Sequence, residues 1–349
     1  MKVALVYDRV NKFGGAERLL LQLHKVFPDA PLYTLVHNPQ TATWASDIEV
    51  IPSFFNKIKF LRTRHQLLAP FTPLGFESFD FSKFDVVVSL TSESAKCIIT
   101  KPDTLHICYC LTPTRYLWTA QQDYLKHPTF GLLSPLIKPF FKLFRPKLKE
   151  RDYIFAQRPD KYLAISKTVQ QRIKKFYDRP SKVIYPPVDY QYFSTETKKA
   201  KDSYLLVSRL EPYKKTKIVI EAFNQMPDKN LKIVGTGSQT NKLQKMAKKN
   251  IQFLGHVSDQ RLRNLYSQAK ALIFPQLEDF GIVPLEAQAA GTPVLAYGQG
   301  GATETVEEGK TGLLFKNQTP SAITKTISQF ENNTDQISDK LCKHNAENF

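Results

Sequence analysis

The chain has 349 residues, 42% of them hydrophobic and 12% aromatic, which excludes a disordered polypeptide. That length gives room for two domains of about 170 residues each. A formal net charge of +17 calls for an acidic partner: nucleotide phosphate, nucleic acid or an anionic membrane surface.

No apolar run approaches the roughly 18 residues needed to cross a bilayer. Met1–Asp8 begins as a strand, not a signal peptide, so the expected location is cytoplasmic. Lys2–Tyr7 is a predicted strand, followed by a turn at Gly14-Gly15 and a helix over Ala16–Phe27, where Leu19, Leu20, Leu23 and Val26 recur at helical spacing. Further buried strands are predicted at Val86–Ser89, Leu105–Tyr109, Tyr162–Ile165 and Lys182–Ile184. Ser166 is the expected N-cap of a helix over Lys167–Tyr177. Pro186-Pro187 stops this half, and the polar stretch Ser194–Asp202 reads as a linker. The expected domains are 1–190 and 191–349.

The second half alternates more cleanly. Strands are predicted at Ser203–Val207, Leu231–Val234, Ile251–Leu254, Ala271–Phe274 and Pro293–Ala296. Between them lie helical patterns at Thr216–Asn224, Thr240–Lys248, Asp259–Gln268 and Pro284–Ala290, with another from Gln336. Strands separated by helices imply an α/β fold with parallel sheets covered on both faces. Two such Rossmann-like domains would face each other across a cleft at the carboxyl ends of their strands, where ligands of open α/β sheets bind. The sequence stops at Phe349, and the second domain is expected to lack a finishing element. The four cysteines, Cys97, Cys108, Cys110 and Cys342, are too few and too irregular for a disulfide framework, and read as small hydrophobes in a reducing compartment.

Glu278–Glu286 is the most informative run: two carboxylates eight residues apart, a glycine turn at Gly281, and a helix start before the second. A helix start offers unpaired N–H groups and a partial positive charge to phosphate. Carboxylates accept from sugar and ribose hydroxyls. The loop Ser208–Lys215 follows a strand and brings Arg209, a planar fork, and Lys214, a point charge, both suited to a diphosphate. Gly14-Gly15 could turn bare backbone N–H groups toward phosphate, and Gly235–Gly237 is a loop expected to line a nucleotide pocket. Neither matches the G-x-G-x-x-G dinucleotide fingerprint, which disfavours an NAD-dependent oxidoreductase.

Gly14-Gly15-Ala16-Glu17-Arg18, Ile165-Ser166, Tyr185–Asp189, Ser208-Arg209…Pro212-Tyr213-Lys214, Val234-Gly235…Gly237, Phe253–Val257 and Glu278…Glu286 occur in that order over nearly the whole chain. In this the sequence resembles the retaining glycosyltransferases of family 4, which have the GT-B architecture of two facing Rossmann-like domains. The resemblance implies that Arg209 and Lys214 hold a donor diphosphate and that Glu278 contacts the donor sugar. It implies backbone contacts beside that sugar from Phe280, Gly281, Ile282 and Val283, a ribose held by Glu286, and a phosphate loop at Gly14 and Gly15. His256 and Val257 match the segment that reads the base. Leu111 stands where relatives carry histidine, and Arg115 and Tyr116 beside it are the acceptor-side candidates. No Asp-x-Asp pair is present, so Arg209, Lys214 and helix dipoles are expected to replace a catalytic metal, and no cofactor is expected.

Two basic stretches remain. Lys138–Arg151 carries Lys138, Lys142, Arg145, Lys147, Lys149 and Arg151 against Glu150, interleaved with phenylalanine and leucine; Phe54–Phe71 carries Lys57, Lys59, Arg62 and Arg64. This mixture suits an interfacial helix on anionic lipid, with Lys142, Arg145, Lys147 and Lys149 in contact. No nucleic-acid recognition motif is visible. The expectation is a cytoplasmic, peripherally membrane-bound transferase that moves a hexosyl unit from a nucleoside diphosphate sugar, GDP-mannose as the first guess, to a glycan or lipid-linked hydroxyl. Two alternatives stay open: an epimerase of the same layout, and a nucleotide-sugar-binding protein impaired by Leu111.

Overall fold

The computed structural model describes residues 1–64, 68–119, 134–194, 202–332 and 337–349, without the side chains of 134–142. Most of the expected linker, 195–201, therefore lies outside the described residues. The chain divides into two compact units, Met1–Tyr185 and Pro186–Phe349.

The first unit holds a seven-stranded sheet in the order β3-β2-β1-β4-β5-β6-β7. Its strands are β1 (Val3–Tyr7), β2 (Leu32–Thr34), β3 (Val50–Pro52), β4 (Val86–Thr91), β5 (Leu105–Cys110), β6 (Lys161–Ala164) and β7 (Lys182–Val183). Every pairing is parallel, with β1 on β4 from Val3↔Val86 to Tyr7↔Leu90. Ala4, Leu5, Val6, Val87 and Leu90 are fully buried, as central parallel strands covered on both faces require. One side packs on Phe76, Phe81 and Phe84 around Tyr33. His106 on β5 is buried, its Nε2 2.9 Å from the Ser89 hydroxyl, and burial pulls its pKa down to about 3. It is a core histidine.

The second unit repeats the plan in six strands, ordered β10-β9-β8-β11-β12-β13. They are β8 (Ser203–Val207), β9 (Asn230–Val234), β10 (Ile251–Gly255), β11 (Ala269–Phe274), β12 (Val294–Tyr297) and β13 (Gly312–Phe315), again all parallel. Tyr204, Leu206, Ile220, Phe223, Ile233, Ile273 and Ile327 form its core. Helix starts follow the sequence signals. Ser166 accepts from the Val169 N–H at 3.0 Å, and Ser258 and Ser338 cap the helices Asp259–Gln268 and Asp339–Glu347 in the same way.

In each unit the first strand lies between the second and the fourth, so successive connections run outward in opposite directions from it. The gap between β1 and β4, and that between β8 and β11, are topological switch points, where loops at the strands' carboxyl ends diverge and leave room for a ligand.

Candidate nucleotide-sugar site

The switch point of the second unit gathers the charged residues singled out in the sequence. After β8 the chain runs through Ser208–Lys215, with a single 3-10 turn at Pro212–Lys214, into the helix Thr216–Phe223. After β11 it runs through Pro275–Gly281 into the helix Ile282–Ala289. Lys214, from the first loop, forms an ion pair with Glu278, from the second. Both side chains are largely covered, at 14% and 19% exposure. Arg209 donates to the Tyr213 hydroxyl at 2.7 Å, and the Lys214 ammonium lies 5.2 Å from the centre of the Tyr213 ring. Arg209, Tyr213, Lys214 and Glu278 thus form one chain of contacts across the switch point.

Glycines let these loops approach one another. Gly235 has φ +121°, and a Cβ there would stand 2.0 Å from the Ser208 carbonyl oxygen. The loop after β9 therefore lies on the loop that carries Arg209, held by Leu210 N–H to Thr236 O at 2.9 Å. Glu211 ties the same two loops by accepting from the Ser238 N–H at 3.0 Å and its hydroxyl at 2.6 Å. On the other side, Gly301 packs so closely on Phe280 that a Cβ would meet its carbonyl oxygen at 2.2 Å, and the Gly301 N–H donates to Glu278 O at 2.9 Å. The backbone of Glu278 is pinned by this contact and by its parallel bridge to Gly300. Lys215, left-handed at φ 58° without being glycine, marks the sharp turn from Lys214 into the following helix. The hydroxyls of Ser208 and Thr216, at the ends of the Arg209–Lys215 segment, are buried without a hydrogen-bond partner.

Gly281, at φ +92°, caps the helix Ile282–Ala289, which starts two residues earlier than the apolar pattern predicts because glycine supplies the turn. Ile282 and Val283 form its first turn, and no side chain caps it. Glu286, the fifth residue of this helix, is 5% exposed and accepts from the Tyr266 hydroxyl at 2.9 Å. Phe280 is buried beside Phe349. Gly255 has φ +65° with open space around it; His256 beyond it is exposed and Val257 buried. Sequence reasoning gave Tyr213 and Glu211 no role, although both lie in the Ser208–Lys215 loop it singled out, and it missed Tyr266 and the Gly300-Gly301 pair. The Gly298–Gly301 run was the one signal that could have pointed to the last.

The first unit's switch point is filled by its own side chain. Asp8, just after β1, accepts from the Thr91 hydroxyl at 2.8 Å and from the N–H groups of Ser92, Glu93, Ser94 and Ala95 at 2.8–3.1 Å. Gly14 is the extended N-cap of the helix Gly15–Val26, with no side-chain cap, and the first-turn Glu17 is buried and accepts from the Tyr7 hydroxyl at 2.6 Å. Arg115 and Tyr116 open the short helix Arg115–Trp118. Burial raises the Tyr116 hydroxyl well above its usual pKa, reinforced by nearby Glu93 and Asp152.

Of the four proposed lipid-facing cations, Lys142 lies outside the described side chains. In the helix Ser134–Phe155, Lys147 is exposed and Arg145 half-buried, while the Lys149 ammonium sits 4.8 Å from the Trp118 ring. Leu143 (72% exposed), Phe144, Tyr153 and Ile154 stand in solvent on this helix; Phe54, Ile58 and Phe60 do so beside the exposed Lys57 and Lys59. Among the described residues, no helix is long and apolar enough to cross a membrane.

Residues 190–349 match the family described as Glycosyl transferases group 1. A D-inositol 3-phosphate glycosyltransferase of Corynebacterium glutamicum (strain R) is 36% identical over 132 residues, 33% of this chain and 32% of that protein. A GDP-mannose-dependent monoacylated alpha-(1-6)-phosphatidylinositol monomannoside mannosyltransferase of Corynebacterium glutamicum is 35% identical over 135 residues, 34% of this chain and 35% of that one. The chain spans about a third of the length of these two curated relatives. In fold the chain is similar to HepE from Anabaena, solved with UDP, which superposes with a TM-score of 0.72 at 19% identity, over 99% of this chain and 93% of that one. Each unit is therefore a parallel-sheet, Rossmann-like α/β body matching those of solved GT-B glycosyltransferase structures, and residues 190–349, within the second unit, match the glycosyl transferases group 1 family.

Proposed function

We propose that this chain is a retaining, metal-independent glycosyltransferase that moves a hexosyl unit from a nucleoside diphosphate sugar to a hydroxyl acceptor. The carrying observation is the convergence of Arg209, Lys214 and Glu278 at the switch point of a Rossmann-type sheet. Two cations there offset charge on the departing diphosphate, the effect that usually dominates such chemistry. The uncapped helix start at Ile282 adds its partial positive charge, and the unpartnered Ser208 and Thr216 hydroxyls are polar groups that a bound oxyanion would satisfy. Glu278 orients the sugar and Glu286 takes the ribose. Departure of the diphosphate on the face that the acceptor enters lets a phosphate oxygen take the acceptor's proton, so retention needs no protein base. Arg115 and Tyr116 serve the acceptor. GDP-mannose is the first donor to try, supported by the mannosyltransferase among the relatives; UDP-glucose is the second, because HepE was solved with it.

A thermal-shift panel of ADP, GDP, UDP and their sugars tests the donor reading. A ligand at 100 times its dissociation constant adds about 2.7 kcal/mol of stability. One base should raise the melting temperature clearly above the other two, and a flat response to all three would overturn the assignment. Incubation with donor alone separates transfer from epimerisation.

We further place the protein at the cytoplasmic face of an anionic membrane, where it meets a lipid-linked acceptor. Leu143, Phe144 and Ile154 beside Lys147, and Phe54, Ile58 and Phe60 beside Lys57 and Lys59, mix exposed apolar and cationic groups. Each surface cation adds about 1 kcal/mol on such a membrane. Replacing Lys142, Arg145, Lys147 and Lys149 by glutamine should release the protein from phosphatidylserine vesicles in a flotation assay. Unaltered flotation would reject that helix as the contact.

A further inference from the structure

The ion pair between Lys214 and Glu278 has a consequence for what the site can release. In the free protein the ammonium that would meet a diphosphate already has a carboxylate counter-ion, in a setting where both side chains are largely shielded from water. The backbone of each partner is tied by a hydrogen bond. The Glu278 carbonyl is fixed by the Gly301 N–H at 2.9 Å, and Lys214 N–H donates to Glu211 O at 3.0 Å within the 3-10 turn. An exchange of partners by side-chain rotation leaves both of these bonds intact.

A bare diphosphate entering this site therefore meets Glu278 as a competitor for Lys214 and, once Lys214 is drawn away, as an unneutralised like charge nearby. A diphosphate that carries a sugar brings hydroxyl groups, which donate to the carboxylate and take the ammonium's place. We infer that Glu278 sets the preference between donor and product: it opposes a nucleoside diphosphate whose sugar position is empty, and it accepts one whose sugar hydroxyls engage it. After transfer the hydroxyl donors are gone, Glu278 takes Lys214 back, and the diphosphate loses a counter-ion at the moment it has to leave. The inference rests on the donor-site reading above and adds to it a reason for product release. No bond to the protein forms or breaks; the exchange is of hydrogen bonds and ion pairs.

Calorimetric titration of wild type, Glu278→Gln, Lys214→Met and the double variant at one fixed salt concentration tests it. The probes are UDP, UDP-glucose, GDP and GDP-mannose. The expected result is that Glu278→Gln binds the bare diphosphate about tenfold tighter than wild type, equal to about 1.4 kcal/mol. It should bind the sugar-bearing form no tighter, so the ratio of the two dissociation constants falls. In the Lys214→Met background, adding Glu278→Gln should restore at most the part of the gain that comes from removing a like charge. A Glu278→Gln protein that binds both bare diphosphates no more tightly than wild type overturns the inference and leaves the donor site standing. If wild type binds neither nucleotide, bare or glycosylated, the donor-site reading itself falls, and the inference with it.

Discussion

Replacing Lys214 by methionine is expected to weaken binding of the nucleoside diphosphate by roughly 10- to 150-fold and to lower turnover further. The first figure follows from a charge-assisted hydrogen bond to phosphate, worth about 1.5–3 kcal/mol net. Coulomb attraction at 4 Å and an effective dielectric near 20 is larger, about 4 kcal/mol, but desolvation offsets part of it, and Lys214 must also give up Glu278. The turnover loss should exceed the binding loss, because charge on the diphosphate grows as the glycosidic bond breaks. Arg209 permits a finer comparison. It is exposed, and its fork is steadied by Tyr213. Arg209→Lys keeps the charge and loses the fork, so a defect close to that of Arg209→Ala would indicate two-point recognition of phosphate oxygens. Calorimetry that finds Lys214→Met and Arg209→Ala both binding as tightly as wild type would remove the physical basis of the site.

Much of that site was legible because parallel α/β sheets put their ligand chemistry in one place. Once β8 and β11 are recognised as apolar runs, Arg209, Lys214 and Glu278 fall in the loops at their carboxyl ends, and the strand order brings those loops together. The long buried strands β4, β5 and β11 announce themselves for the same reason. The strands β2 (Leu32–Thr34), β3 (Val50–Pro52) and β13 (Gly312–Phe315), of three, three and four residues, were not read from the sequence. Pairings over long sequence separations were also hidden. Tyr266 is an ordinary helical aromatic until Glu286 is seen against it, and Gly301 is one glycine among several until its closeness to Phe280 is measured. The basic helix shows the cost of reading charge as exposure. Lys149 belongs to the same run as Lys147 and yet rests over Trp118, because a helix turns neighbouring cations onto different faces.

That helix also buries the charge whose removal should most damage the first unit. Asp152 lies on its inner side and accepts from four groups: Lys96 Nζ at 2.7 Å, Thr114 Oγ1 at 2.8 Å, Trp118 Nε1 at 2.7 Å and Tyr177 OH at 2.8 Å. The Lys96 side chain is 2% exposed and that of Asp152 9%. Burial, the largest single influence, would lower the Lys96 pKa, but the charge of Asp152 and its hydrogen bond to Lys96, together with nearby Tyr177 and Cys97, outweigh it; the net direction is upward, so the ammonium stays charged inside the unit. Asp152→Asn keeps the volume and leaves that ammonium without a counter-ion. Breaking one side of a buried pair costs about 3–5 kcal/mol, a large share of the 5–15 kcal/mol that stabilises a typical domain. For a unit of this size the melting temperature should fall by about 6–20 °C. Adding Lys96→Met removes the orphaned charge, so the double variant should recover much of the loss, and it is this reversal that separates an electrostatic cause from a packing one. Because Thr114 and Trp118 bracket Arg115 and Tyr116, the single variant should also loosen the segment assigned to the acceptor, seen as faster amide exchange there than in β4 or β5. An Asp152→Asn protein that melts with wild type would mean that Lys96 is not held as a buried cation, and the anchoring of Arg115–Trp118 would have to rest on contacts other than Asp152, such as Trp118 stacking on Phe176, 5.1 Å between ring centres, and Lys149 over the Trp118 ring.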